Sequence, residues 1–75
     1  MAYKVNVVAK RGDTEIYNAT HRAEIIQGVL KLDCGGPYCG EGKLSDSDIA
    51  LIQDAGWFAK IRLTETSPIM ITYYF

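Results

Sequence analysis

Residues 2–10, AYKVNVVAK, alternate in character. Tyr3, Val5, Val7 and Ala9 fall on one face, and Lys4, Asn6 and Lys10 fall mostly on the other. A period of two marks a half-buried β-strand, with Val8 as the one apolar residue out of phase. The RGD at 11–13 supplies turn chemistry, and TEIYNA then reads as the returning strand.

The next stretch, THRAEIIQGVLKLDC, carries two patterns. As a helix it would bury Ile25, Ile26, Val29 and Leu30 behind Thr20 as N-cap, but Gly28 in the middle costs about 1 kcal/mol against alanine. As a hairpin it divides into HRAEII and VLKLDC around Gln27-Gly28, where glycine provides the positive φ that such turns need. The hairpin is the reading adopted here.

KLSDSDIALIQDAGW predicts a helix over about 46–55. The Ser45 hydroxyl can accept from the Asp48 amide, and the Asp48 carboxylate can reach back to the Ser45 amide, an acidic variant of the capping box. Leu44 and Ile49 occupy the two positions of a hydrophobic staple. Ile49, Ile52 and Ala55, with Leu51 beside them, form the expected buried stripe. Asp46 and Asp48 lie at the positive end of the helix dipole. Gly56 supplies the left-handed residue that ends the helix, after which Trp57 would fold back onto Ile52.

The end of the chain reads as a second hairpin. WFAKIRLT alternates Trp57, Ala59, Ile61 and Leu63 against Phe58, Lys60 and Arg62. ETSP turns the chain, with Pro68 at a strand start where its missing donor is harmless. In IMITYYF, Ile69, Ile71, Tyr73 and Phe75 point one way, and Met70, Thr72 and Tyr74 the other. A strand apolar on both faces needs cover on both, and one ten-residue helix covers one. The expected architecture is therefore α+β: an antiparallel sheet of about five strands with one helix packed on a face.

Composition fits a single domain. At 75 residues the chain buries about 60% of its unfolded surface, so its stability is modest. Apolar residues make up 48% and charged residues 23%, with a net charge of −1. That balance is globular, and it lacks the basic excess of a nucleic-acid binder. MAYKVNVVAK has no uninterrupted apolar core of a secretion signal, and no apolar run reaches the roughly 18 residues of a membrane span. The expectation is a cytoplasmic protein with no direct nucleic-acid or membrane partner.

Candidate chemistry concentrates in DCGGPYCGEG at 33–42, which holds both cysteines and four of the seven glycines. A zinc site needs four ligands. Cys34 and Cys39 have an allowed spacing but no second pair, leaving His21, Asp33 and Glu41 as candidates to complete one. Two residues between cysteines and a helix N-terminus, as in thioredoxin-type motifs, are both missing. A disulfide across this loop and a plain glycine-rich connection remain open readings; no cofactor is expected. His21 is the sole imidazole, and the glycine-rich run lacks the spacing of a phosphate loop. Asp46, Asp48 and Asp54 are explained as caps and a solvated helix face. No catalytic constellation assembles, and a non-enzymatic role is expected.

What remains is surface. Met70, Tyr73, Tyr74 and Phe75 are residue types enriched at interfaces. Asp46, Asp48 and Asp54 give the helix an acidic side suited to a basic target. These seven residues are the expected partner-binding set. No motif covers enough of the chain to name a family. A tiny, acidic, motif-free chain resembles in general build the inhibitors that phages and other mobile elements direct at host defence enzymes, anti-CRISPR proteins among them. The expectation is a binding module that works by occluding a partner, a host enzyme or complex in the host cytoplasm, with a homodimer as a further state. Two alternatives stand beside it: a metal- or redox-dependent module on Cys34, Cys39 and His21, and a structural subunit of a larger assembly.

Overall fold

The structure, a computed structural model, describes residues 2–33 and 41–75. Six strands and one helix follow in the order β1 (Ala2–Arg11), β2 (Thr14–Ile26), β3 (Val29–Leu32), β4 (Glu41–Lys43), α1 (Asp46–Ala55), β5 (Trp57–Arg62) and β6 (Ile69–Tyr74). All neighbours in the sheet are antiparallel, in the order β4-β3-β2-β1-β6-β5. The α+β expectation holds, with six strands in place of about five. TEIYNA and HRAEII are one strand of 13 residues, because nothing at Ala19-Thr20 offers turn chemistry. The three residues of β4 are too few to show a pattern.

The turns follow from their residues. Arg11 faces Thr14 across a two-residue connection in which Gly12 has φ 62°, the glycine-first requirement of a type II′ turn. Ile26 faces Val29 across Gln27 (φ 51°) and Gly28 (φ 76°), the doubly positive signature of type I′, so 20–33 is the hairpin and not the helix. Near the first turn Ala9 faces Tyr17 while Lys10 faces Glu15, which leaves Ile16 as the extra residue of a bulge.

The sheet curls into a half-barrel with the core inside. Register shows which side chains point inward. Val5, Val7 and Ala9 of β1 lie opposite His21, Ala19 and Tyr17 of β2. On the other flank, Val7 and Ala9 face Tyr73 and Ile71 of β6, and those face Phe58 and Lys60 of β5. The buried cluster is Val5, Val7, Ala9, Ala23, Leu30, Leu44, Phe58, Ile69, Ile71 and Tyr73. Within it Phe58 stacks on Tyr73 at 4.8 Å between ring centroids, and at its margin the exposed Tyr3 meets the half-buried Phe75 edge-on at 5.7 Å.

The helix is capped as expected. Asp48 N–H donates to Ser45 Oγ at 3.1 Å, Ser45 N–H donates to Asp48 Oδ2 at 3.2 Å, and Gly56 closes the C-terminus at φ 78°. Its packing differs from expectation. No residue of α1 is fully buried; Ile49 and Ile52 rest half-buried on the core, whereas Leu51 and Ala55 are exposed. Leu44, the other half of the staple, is buried, and its amide donates to Gly28 O at 2.8 Å. Trp57 starts β5 on its outer parity, opposite Tyr74. The Gly56 amide donates to both Leu51 O and Ile52 O at 3.0 Å.

Candidate binding surface

The two faces of β5 and β6 divide by parity. Phe58, Ile69, Ile71 and Tyr73 point into the core. On the outer face the cross-strand pairs are Trp57 with Tyr74, Ala59 with Thr72, and Ile61 with Met70. There Trp57 is 38% exposed, Tyr74 48%, Met70 42% and Ile61 61%, and Leu63 just past β5 reaches 82%. No described element covers this side. Scattered exposed apolar residues are ordinary, but four large ones in two cross-strand pairs, flanking the Ala59–Thr72 pair on one face, form a grouping of the kind that marks contact surfaces.

Beyond β6 the outer face turns polar. Tyr74, Thr72 and Met70 lie next to Asn6, Val8 and Lys10 of β1. Asn6 Nδ2 donates to Asn18 Oδ1 at 2.9 Å, and Asn18 Nδ2 donates to Glu15 Oε1 at 3.2 Å. Further along, Arg22 N–H donates to Asp33 Oδ1 at 3.0 Å. Apart from the buried Val8, these polar residues border the apolar grouping on the β1–β2 side.

The expected partner-binding residues therefore separate. Met70 and Tyr74 stand together on the outer face. Tyr73 is in the core, where burial pushes its phenol above the ordinary 10.0 and the Arg62 guanidinium pulls less strongly the other way. Phe75 is half-buried on the inner side, against Tyr3 and Phe58. Asp48 is committed to the helix cap. Asp46 is exposed beside it, and Asp54 is exposed in the last turn. Trp57 and Ile61 were absent from the expected set. The signal that finds them is the register with β6, which makes Trp57, Ala59 and Ile61 the outer side of β5 and Phe58 the inner one.

His21 faces inward next to Val5, and its Nε2 lies 2.6 Å from the Tyr17 hydroxyl, with the two rings nearly parallel at 6.0 Å. The small Ala19 between them on the same face leaves Tyr17 the room to reach it. Cys34 and Cys39 lie outside the described residues. Among the described residues no group of three or more His, Cys, Asp or Glu is placed to hold a metal ion, and no helix is long and apolar enough to cross a membrane.

One further group stands at the rim of the half-barrel. Lys60 points inward from β5, and its Nζ is 5.8 Å from the centroid of the Phe58 ring. A Cβ built on Gly42 of β4 would stand 2.5 Å from that same Nζ. The outermost strands of the six-strand order thus come near each other, yet no ladder joins β4 to β5. No protein-family model, curated protein or solved structure matches this chain.

Proposed function

We propose that this protein is a non-catalytic binding module that acts by covering the working surface of a protein partner through the outer face of β5 and β6. The observation that carries the reading is the grouping of Trp57, Ile61, Met70 and Tyr74 on one uncovered side of two strands whose other side is core. Aromatic and methionine side chains in such a cluster provide the desolvated anchors on which interfaces depend. A host enzyme or complex as the target, in the manner of phage-borne inhibitors of host defence, is the specific form of this reading. It rests on general build alone.

Affinity capture at physiological salt, quantified by native mass spectrometry, tests it. The expected outcome is a stoichiometric protein partner that Tyr74→Asp releases and that Cys34→Ser retains. A partner lost with Cys34→Ser and kept with Tyr74→Asp would transfer the function to the cysteine loop. Ordered self-assembly with no foreign partner would make the chain a structural subunit.

A further inference from the structure

The β5 edge combines three properties that bear on how a partner is held. Its backbone pairs with β6 on one side and with no strand among the described residues on the other. Its outward side chains, Trp57, Ala59 and Ile61, are apolar and at least partly exposed. Its inward side chain at the middle of the edge is Lys60, whose ammonium lies 5.8 Å from the Phe58 ring centroid and beside Gly42 of β4, where a Cβ would stand 2.5 Å from it. Neither neighbour is a carboxylate.

An unpaired edge is a template for another strand, and natural sheets guard such edges with inward-pointing charge. A lysine in that place repels an incoming strand that brings a basic residue to its inner side, and one that brings an apolar residue desolvates the ammonium without pairing it. It welcomes one that brings an acid. Directly opposed side chains on neighbouring strands are close enough for unlike charges to attract and like charges to repel. Guarding the edge and selecting a partner are then one property of one residue.

Resting on the binding-module reading above, we infer that β5 accepts an extended segment of the partner as an added antiparallel strand, with a carboxylate side chain facing Lys60. Main-chain hydrogen bonds to the β5 edge hold the segment, and alternate side chains give specificity. Its outward residues are apolar and prolong the Trp57–Tyr74 and Ile61–Met70 rows by one strand. Its inward acid draws the ammonium away from Gly42.

The test uses three capped heptapeptides of alternating valine and threonine that differ only at the central inward position, which is Glu, Gln or Lys. Trp57 is the sole tryptophan of the chain and starts the edge, so its emission reports occupancy. The Glu peptide should bind about tenfold more tightly than the Lys peptide, with Gln between them. Lys60→Glu should reverse that order. Should Lys60→Glu fold poorly by circular dichroism, Lys60→Gln is the substitute, and it should abolish the preference. Equal binding of the three peptides, an order unchanged by the Lys60 variants, or no change at Trp57 up to millimolar peptide overturns the inference. So does a Trp57 response to protein concentration alone, which would make a second copy the occupant. A captured partner that depends on Tyr74 and ignores Lys60→Glu would leave the binding module standing and remove only the added strand.

Discussion

The same twelve residues of β5 and β6 build two surfaces of opposite fate. On the inner side Phe58, Ile69, Ile71 and Tyr73 are between 0% and 7% exposed. On the outer side Trp57, Ile61, Met70 and Tyr74 are between 38% and 61% exposed. Both sets are apolar, so hydrophobicity alone does not decide which one forms the core. The curl of the sheet decides it. One side encloses the cluster contributed by β1, β2, β3 and the Leu44 segment, and the other side faces outward with no described element over it. A 75-residue chain has little sequence to spare for apolar residues that pack against nothing. Their placement in cross-strand pairs is the reason to read the outer set as a contact surface.

The strongest way to break this contrast is to truncate one residue from each side. Phe58→Ala should lower stability by about 3–5 kcal/mol, a large share of what a small domain has. Trp57→Ala, a larger truncation one residue away, should change it by less than about 1 kcal/mol. Urea denaturation followed by circular dichroism separates the two, and equal losses would show that the outer face is packed.

The supports of the half-barrel give smaller effects. Ser45→Ala removes the hydroxyl that accepts from Asp48 N–H, and should cost about 1 kcal/mol in the same assay. Gln27 holds φ 51° without being glycine. Because asparagine tolerates that conformation better, Gln27→Asn should raise the unfolding free energy by up to about 1 kcal/mol and the urea midpoint with it. An unchanged midpoint would place the strain of the hairpin elsewhere.

Tyr73 sharpens the comparison through pH. Burial raises its phenol above 10.0 in the folded chain. Above pH 10 the unfolded chain therefore gives up this proton before the folded chain does, and stability falls as pH rises toward the folded-state value. Below pH 10 both states hold the proton and this group adds no slope. Tyr73→Phe keeps the ring and loses the titration, so its midpoint should decline less between pH 9.5 and 11 than that of the wild type. Equal slopes would mean that Tyr73 is more accessible than its place in the core implies.

Much of this architecture could be read along the chain where local chemistry dominates. Ser45 and Asp48 mark the helix start, Gly56 marks its end, and Gln27-Gly28 marks the β2–β3 turn. The two-sided character of β6 is visible in IMITYYF alone. The inner side of β5 could not be read that way. Trp57, Ala59, Ile61 and Leu63 form the more apolar parity, yet the pairing of Phe58 with Tyr73 turns that parity outward. Face is assigned by register with a strand about fifteen residues away, which alternation within one segment does not contain. The meeting of Lys60 with Gly42 was hidden for the same reason, since it depends on the curl of all six strands. Of the expected partner-binding residues, Met70 and Tyr74 could be placed because strand parity is local. Tyr73 and Phe75 carried the same interface composition and lie on the inner side.

The most direct test of the central claim is a double substitution, Ile61→Asp with Met70→Asp, examined for both folding and partner capture. If the outer face of β5 and β6 is a binding surface, the unfolding free energy from urea denaturation should stay within about 1 kcal/mol of wild type while the stoichiometric partner disappears. A double variant that retains its partner, or one that unfolds as Phe58→Ala is expected to, would contradict the account.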